Sequence, residues 1–407
     1  MEQVLDGAGV QRLESYFGEI GDVLNNVRRR ASFATYAMGL FGDGERKSVE
    51  PIAARACGEA ADTERAHDRL LHFMTDSKWS DRDVRRLAAG HALSVMTGRE
   101  PVESWIVDDT GMLKQGSHSV GVQRQYTGSA GKTTNCQIAV SLSVATKTEH
   151  VPIDFELYLP TKWSEDAARR KEARIPDDIL FRTKPELALE MIKQAVADGV
   201  QKGVLLADSA YGDSSRFRDG VRELGLHYAV GIHAPTKVWR IDRLARRRGK
   251  ALAVRELALQ LDRKKYRRVA WREGTGGKLV SRFARLRVVP EHDDGWDPAH
   301  REDVWLLIEW PEGEPEPTKY LFSSLGRSIG KKKLVRIVKE RYRTERVYQD
   351  LKGELGFDHY EGRRFPGWHH HISVVLCCYA FVIAERVRRF PPTARRQAPA
   401  DALTLAA

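Results

Sequence analysis

The sequence predicts an α/β protein with a mixed sheet and flanking helices, and three observations support this fold class. Residues 1–98 carry apolar side chains at helical spacing, such as Leu70, Leu71 and Phe73. Short apolar runs bounded by turn residues follow them, which is typical of strands. Later strands then alternate with helical patterns, an order that favours parallel pairing and helices packed on a sheet.

The first of these regions predicts an N-terminal helical domain over residues 1–98. Pro51 follows Lys47 and Ser48 and opens an apolar stretch, and proline is well tolerated in the first turn of a helix. The helical pattern containing Leu70 breaks at Asp76 and Ser77. If the protein binds DNA, this domain is the candidate for recognising a DNA end.

The central region, residues 99–233, predicts the α/β core. Its first strands lack long helices between them, which favours antiparallel pairing, whereas its last strands are separated by helices, which favours parallel pairing. In chain order the predicted elements are strands at Trp105–Val107, Gln137–Val144 and Val151–Leu159, a helix at Lys184–Asp198, a strand at Val204–Ala207, a helix at Ser214–Leu224 and a strand at His227–Gly231.

A basic segment at residues 234–320 differs in composition from the core. It contains strand-like runs at Arg285–Val289 and Val304–Glu309 and five tryptophans, and we expect it to form a β-rich insertion. Helical patterns resume at Lys331–Glu354 and Ile372–Arg389, so residues 321–390 predict C-terminal helices of the core. The Pro- and Ala-rich residues 391–407 predict a disordered tail.

Charge is unevenly distributed along the chain. The 407 residues carry a formal net charge of +11, with 30% charged and 42% hydrophobic residues. The segments Lys237–Arg268 and Gly326–Arg396 each carry a surplus of about ten positive charges, so the rest is acidic overall. Two basic segments favour a polyanionic partner with a phosphate backbone. The alternative is that each run is only the solvated face of a helix.

Cysteine usage and hydropathy favour a cytoplasmic protein without a membrane partner. The four cysteines form no CxxC pair, which fits a reducing compartment and disfavours a structural zinc site. The longest apolar stretch, Ile372–Ala384, is too short to span a bilayer and predicts a core helix. The N-terminus has no signal-peptide pattern.

Two aspartates directly follow short apolar runs of the predicted core. Asp108 follows Trp105–Val107, and Asp208 follows Val204–Ala207. Ligands collect at the carboxyl ends of strands in open α/β sheets, and carboxylates held there suit Mg²⁺. Taken singly, each aspartate is more often a turn residue or a helix cap.

A third carboxylate lies in the helical pattern near residue 345. Arg341, Glu345 and Lys352 have offsets of 0, 4 and 11, which at about 100° per residue place them on one helix face. A carboxylate between two cations suits a site that binds both a metal and a phosphate. The alternative is an ordinary ion pair between residues four apart on a solvated helix.

Three strings around these carboxylates resemble bacterial insertion-sequence transposases. The string from Arg341 through Glu345 and Lys352 to Arg363 resembles the Tyr-Arg-Glu-Lys signature of that group, although Val338 stands at the tyrosine position. Asp108–Gly111 with its downstream blocks resembles the first catalytic block, and Ala207–Asp213 resembles the second. The Gly-Trp-His-His-His string at 367–371 is similar to insertion-sequence family seven-zero-one.

This resemblance implies an RNase H-like fold and a DDE transposase that cleaves DNA and transfers strands at transposon ends. Asp108, Asp208 and Glu345 would hold two Mg²⁺ ions, for which Mn²⁺ would substitute. It also implies double-stranded DNA with terminal inverted repeats and a target DNA as partners, a homodimer in the synaptic complex, and work at the bacterial nucleoid.

The resemblance further implies DNA contacts. The cations expected to contact phosphates are Arg341, Lys352, Arg346, Lys264, Lys265 and Arg267. Trp239 or Trp296 would stack on a flipped base, whereas core packing is the alternative for any one tryptophan. Three adjacent histidines, His369–His371, cannot all ligate one metal from a helix start. Phosphate contact or helix capping is therefore favoured over zinc binding.

The choice between Asp108 and Asp109 as first ligand stays open on the residues alone. The family pattern places the aspartate two residues before Thr110 and so favours Asp108, and alternation along a strand would turn Asp109 the opposite way. Other functions also stay open: a different RNase H-like nuclease, such as a resolvase, or a non-catalytic regulator derived from a transposase. A metal-free hydrolase is disfavoured, because the sequence has no GxSxG elbow.

Overall fold

The computed structural model describes residues 6–57, 59–241, 251–274, 277–292 and 303–390. Trp296 and the predicted tail at 391–407 lie outside the described residues. The chain divides into two units: the first contains Met1–Val102, Asp109–Thr183 and Thr344–Ala407, and the second contains Glu103–Asp108 and Lys184–Arg343. The five predicted segments divide the chain at other places, and as functional domains they stay a prediction.

The first unit contains the predicted N-terminal helices. Side chains at helical spacing bury one face of each, as Tyr16 and Ile20 do on the first helix. Asp6, Asn26 and Ser80 accept hydrogen bonds from backbone N–H groups in the first turns of their helices and so fix where these begin. The helices are α1 (Gly7–Leu24), α2 (Val27–Phe41), α3 (Val49–Ala56), α4 (Ala60–Thr75), α5 (Asp81–Thr97), α6 (Thr161–Ser164), α7 (Ala167–Ala173), α13 (Arg343–Leu355, whose first residue belongs to the second unit) and α14 (Phe365–Arg389).

A small antiparallel sheet completes the first unit. Strand β3 (Lys132–Ala145) pairs with β2 (Gln123–Thr127) along its first part and with β4 (His150–Tyr158) along its second part. The sequence did not predict β2, whose side chains are mostly half-buried or exposed and therefore give no apolar run. The other two strands confirm the predicted antiparallel opening of the core.

Helix α14 forms the centre of the first unit. It packs against α5, β4 and α2. It is the one helix among the described residues that is long and apolar enough to cross a membrane, and 89% of its most apolar window is buried inside the protein. This burial accounts for its composition and confirms the predicted core helix, which begins earlier than Ile372.

The second unit contains a mixed sheet. Strand β1 (Ser104–Leu113) starts in this unit and pairs in parallel with β5 (Val204–Ala207), which pairs in parallel with β6 (Tyr228–Ile232). Beyond β6 the order is β12, β11, β10, β7, β8, with β9 also paired to β10, and these pairings are antiparallel. The remaining strands are β7 (Lys237–Arg240), β8 (Leu252–Ala253), β9 (Arg267–Gly274), β10 (Gly277–Pro290), β11 (Val304–Pro311) and β12 (Lys319–Ser323).

The strands of the predicted β-rich insertion thus continue the sheet of the core strands, because β12 pairs with β6 from Ser323 to Tyr320. The helices of this unit are α8 (Lys184–Ala197), α9 (Ser209–Gly212), α10 (Ser215–Glu223), α11 (Val254–Leu259) and α12 (Lys331–Lys339), with 3₁₀ turns at Arg263–Lys265 and Glu340–Tyr342. The mixed sheet and the helical N-terminal region confirm the predicted α/β class.

Candidate active site

Parallel pairing of β1 with β5 aligns the two candidate aspartates. The register joins Ser104 to Val204 and Ile106 to Leu206, so continuing it by two residues places Asp108 opposite Asp208. Side chains two residues apart on a strand share a face. Asp109 lies one residue off this register and on the other face, which favours Asp108 as the functional residue.

Strand β1 does not end at Asp108, as the sequence had suggested, but continues to Leu113. Its apolar part stops at Val107, whereas the extended backbone continues through residues 109–111. Asp108 therefore lies within a strand and is 8% exposed. Its backbone is more firmly held than that of a turn residue.

Asp208 begins helix α9 at the end of β5. It keeps an extended backbone, with φ −85° and ψ −171°, and its Oδ1 accepts a hydrogen bond of 2.9 Å from the Ala210 N–H. Glycines let this turn lie directly on β6. A Cβ added to Gly231 would come within 3.0 Å of the Ser209 nitrogen, and one added to Gly212 would come within 1.9 Å of the Gly231 oxygen. Only residues without a Cβ permit this approach.

Arg341 forms an ion pair with Asp108. Its Nη1 donates to Asp108 Oδ2 at 2.6 Å, and both residues belong to the second unit. Arg341 lies in the 3₁₀ turn Glu340–Tyr342, and the Arg272 guanidinium covers the neighbouring Tyr342 ring, 3.8 Å from its centre. The predicted phosphate-binding cation thus reaches one of the predicted carboxylates.

The predicted single helix carrying Arg341, Glu345 and Lys352 is wrong. The helical pattern is divided into α12 and α13 by the 3₁₀ turn, so Arg341 lies in that turn and outside the α-helix that carries the other two residues. Glu345 lies in the first turn of α13, in the first unit, and is exposed. It shares α13 with Lys352.

Lys352 links strand β1 to the turn after β2 within the first unit. Its Nζ donates to the Gly111 carbonyl at 2.7 Å and to Ser129 Oγ at 2.9 Å. Burial lowers the pKa of this ammonium group. Arg346, one of the other predicted DNA contacts, is exposed and pairs with Asp350 at 3.1 Å.

The remaining predicted DNA contacts lie in the second unit. Lys264 and Lys265 are exposed in a 3₁₀ turn, and Arg267 is exposed at the start of β9. Trp239 is half-buried on β7, opposite Val289 of β10.

The three histidines are buried in α14, so the predicted phosphate contact or capping role is wrong. His369 lies near Glu156, His370 Nδ1 lies 2.8 Å from the Met74 carbonyl, and His371 Nδ1 lies 2.9 Å from the Tyr36 hydroxyl. Burial lowers the pKa of His371 to about 3, so the ring is neutral. The helix begins at Phe365, and Trp368 and the three histidines before Ile372 are buried in the first unit.

Sequence reasoning missed a polar chain beside Asp208. Asp213 Oδ2 accepts a hydrogen bond from His233 Nδ1, and His233 Nε2 lies 3.2 Å from Ser209 Oγ. Asp213 Oδ1 also accepts bonds from the His233 N–H at 3.0 Å and from Thr236 Oγ1 at 3.1 Å. A carboxylate on Nδ1 makes Nε2 the acceptor for the serine hydroxyl. The residues lie far apart in sequence, and only the carboxyl-end positions of β5 and β6 could have suggested their meeting.

The donor chemistry at Asp108 and Asp208 fits a hard divalent cation, which prefers carboxylate oxygens. In its contacts with the described residues Asp208 uses only Oδ1, so its Oδ2 can coordinate a cation. Among the described residues, no group of three His, Cys, Asp or Glu side chains is arranged to hold a metal ion. The Asp108 carboxylate is instead neutralised by Arg341.

Comparison with known families identifies the class of protein. A family model described as DDE superfamily endonuclease matches residues 19–278, and one described as transposase DDE domain matches residues 182–381. The first covers more than half of the chain, which therefore belongs to the DDE superfamily of endonucleases. Membership implies an RNase H-like fold, binding of DNA and dependence on divalent metal ions, and it confirms the resemblance given by the three strings.

The sequence is also similar to a curated protein. The chain is 32% identical over 226 residues to a protein described as a probable transposase for insertion sequence element IS701, from Microchaete diplosiphon. The alignment covers 55% of this chain and 54% of that protein, so the chain spans about half the length of the relative that it matches.

Proposed function

We propose that this protein is a DNA transposase that cleaves DNA at transposon ends and transfers the freed strands to a target. The observation that carries the proposal is the parallel pairing of β1 and β5, which aligns Asp108 with Asp208 in a member of the DDE endonuclease superfamily. Similarity to a probable insertion-sequence transposase supports transposition over other nuclease functions.

We assign metal binding to Asp108, Asp208 and Glu345, with two Mg²⁺ ions as cofactor and Mn²⁺ as a substitute. Such a pair supplies an activated attacking oxygen and a stabilised leaving oxygen for in-line phosphoryl transfer. The sheet supports the two aspartates. Glu345 is proposed on its motif, because it belongs to the other unit.

The chain's own residues would prepare the site in two ways. Arg341 compensates the charge of Asp108 through their ion pair, and its guanidinium would contact a DNA phosphate if a cation took over that compensation. Asp213 and His233 hold the Ser209 side chain and so keep the turn at Asp208 in one conformation. Neither role requires Arg341, Asp213 or His233 to ligate the metal.

The partners proposed are duplex DNA with terminal inverted repeats, a target DNA and a second copy of the chain in the synaptic complex. The place of action proposed is the bacterial cytoplasm, at the nucleoid. These assignments follow from the similarity to insertion-sequence transposases and go beyond the DNA binding implied by the family.

The test is metal-dependent cleavage of a duplex that carries the inverted repeats flanking the protein's own gene. We expect Asp208→Asn to abolish cleavage and to preserve DNA binding, because it removes a metal ligand at nearly constant shape. Asp178→Asn, which changes an exposed aspartate in a loop of the first unit, is the matched control and should cut normally.

Three results would contradict the proposal in different ways. Normal cleavage by Asp208→Asn would remove Asp208 from the site. Binding without cleavage by the wild-type protein would favour the regulatory alternative. Cleavage of branched DNA, with linear ends left intact, would favour a resolvase.

A further inference from the structure

The two basic segments of the sequence meet in the second unit. Helix α12 packs on β9, and Lys331 at its start donates to the carbonyls of Lys265, at 3.4 Å, and Phe283, at 3.2 Å. Lys265 belongs to the segment Lys237–Arg268, whereas Lys331 belongs to Gly326–Arg396. Positively charged residues that are more than sixty positions apart in the chain therefore lie close together in space.

Cations in this neighbourhood lack acidic partners. Among the described residues, the following form no ion pair: Lys264, Lys265, Arg267, Arg285, Lys331, Lys332, Lys333 and Arg336. Other cations of the same unit do have acidic partners, as Arg255 has Glu316, Arg287 has Asp303 and Lys339, at the end of α12, has Glu309. Unpaired cations on a folded surface leave a positive potential to attract an anion.

The charged groups around Lys331 also indicate a positive electrostatic potential. Burial lowers the pKa of the Lys331 ammonium, and the positive charges of Arg285 and Arg267 lower it further. Arg285 is itself fixed, since it donates to the Ile329 carbonyl and lies over the Trp305 ring, 4.4 Å from its centre. Positive charges are held close together here without compensation.

Helix α12 presents the outer part of this surface. Leu334, Val335 and Val338 are buried, so the opposite face of the helix is exposed. That face carries Lys332, Lys333 and Arg336, and spacings of three and four residues place them side by side. The exposed face of a short helix thus consists of cations, with no acidic residue between Lys331 and Lys339.

Acidic groups near this surface are already engaged. Asp262 accepts a bond of 2.8 Å from the Lys264 N–H and caps the 3₁₀ turn, and Glu312 pairs with Arg268 at 2.9 Å. The cations of the surface therefore have no competing carboxylate within these contacts.

We propose that Lys264, Lys265 and Arg267 together with Lys332, Lys333 and Arg336 form one surface that binds the phosphate backbone of double-stranded DNA. We call these six residues the α12–β9 surface. Lysine and arginine heads on exposed side chains neutralise phosphates without reading bases, so binding here is independent of sequence. The choice of DNA as the polyanion rests on the proposed function, whereas the surface itself rests on the contacts above.

Salt dependence of binding tests this surface. The full-length protein is titrated onto a labelled random-sequence duplex, without divalent metal, at salt concentrations between about 50 and 200 mM. Each phosphate contact contributes about −0.9 to the slope of log K against log salt. We expect Lys332→Ala/Lys333→Ala/Arg336→Ala to make the slope shallower by roughly two to three.

A control with the same loss of charge is Arg65→Ala/Arg86→Ala/Lys193→Ala. These side chains are exposed on helices, and each has an acidic neighbour three residues away. We expect this control to leave the slope unchanged. Both proteins should melt near the wild-type temperature, since substitutions of exposed surface residues usually change stability little.

A second variant, Lys264→Ala/Lys265→Ala, tests whether both parts of the surface contact the same duplex. We expect the changes in slope to add when it is combined with the α12 variant. If the control lost as much of the salt slope as the α12 variant, or if the slope of the α12 variant were unchanged, the proposed DNA-binding role of the α12–β9 surface would be wrong. Tighter binding to duplex RNA than to DNA would overturn the choice of partner. This experiment measures binding and not cleavage. A failure of the cleavage assay under the proposed function would therefore not affect its outcome.

Discussion

Gly212→Ala is the substitution that most directly links the packing of the Asp208 turn to catalysis. An added Cβ would lie 1.9 Å from the Gly231 oxygen and 2.9 Å from Val230 Cβ, where ordinary contact begins at 3.4 Å. Relief requires a shift of about 1.5 Å between α9 and β6, the difference between 3.4 and 1.9 Å. Because α9 starts at Asp208, the shift moves the carboxylate.

The magnitude follows from two generalisations. Overpacking of this kind costs about 1–3 kcal/mol of stability, and displacement of a reacting group by about 1 Å costs ~100-fold in rate. We therefore expect Gly212→Ala to remain folded at moderate temperature and to cut terminal-repeat DNA at least about 100-fold more slowly than the wild type, with unchanged DNA affinity.

The assay is single-turnover cleavage at saturating protein, with urea denaturation of the same samples. Gly90→Ala in α5 is the control, because its Cβ would meet nothing within 4 Å. It should raise helix stability by about 1 kcal/mol and leave the cleavage rate unchanged. A folded Gly212→Ala protein that cuts at the wild-type rate would refute the role assigned to the Asp208 turn.

Three further predictions concern other parts of the protein. Glu345→Gln should abolish cleavage and spare DNA binding in a gel-shift assay, and a variant that still cuts would remove Glu345 from the site. Lys352→Ala should weaken binding to DNA ends and flatten its salt dependence, whereas an unaltered slope with a lower melting temperature would mean that Lys352 only holds Gly111 and Ser129. Arg85→Met should cost about 3–5 kcal/mol in urea denaturation at neutral pH, because Arg85 is 4% exposed and contacts Asp81, Asp154 and Glu156.

The pH dependence of the Arg85 variant provides its own check. Burial acts to raise the pKa of Asp81, but the charges of Arg85, His369 and His370 and the hydrogen bond from Arg85 together outweigh it, and the pKa is lowered. A lowered carboxyl pKa stabilises the fold above the unfolded value of 3.8, and this stability is lost as the pH falls through the lower folded value. The difference between wild type and Arg85→Met should therefore shrink in acid. A difference that is constant from neutral pH to pH 3 would contradict the ion-pair explanation.

Apolar runs in the sequence were sufficient to predict the central strands. Val204–Ala207 has the predicted bounds because four apolar residues end at a helix-capping aspartate. Strand β2 could not be predicted, since Gln123–Thr127 is polar and its pairing with β3 decides its structure. Propensity is weak where tertiary pairing determines a strand.

Long-range contacts explain what the sequence missed at the site. The helical pattern from Lys331 to Glu354 contains no proline or glycine before Gly353 that would announce a break, yet a 3₁₀ turn interrupts it at Arg341. The ion pair with Asp108 spans 233 residues and leaves no local signal. For His369–His371 the sequence favoured phosphate contact or helix capping over zinc binding, whereas each ring has a partner inside the first unit.

The most direct measurement is an anomalous difference map from crystals of the protein with Mn²⁺ and a cleaved terminal-repeat DNA end. The account predicts manganese peaks bounded by carboxylate oxygens of Asp108, Asp208 and Glu345, with Arg341 turned from Asp108 to a phosphate. Peaks at other carboxylates, or an Arg341–Asp108 pair that persists while the metal binds elsewhere, would contradict it.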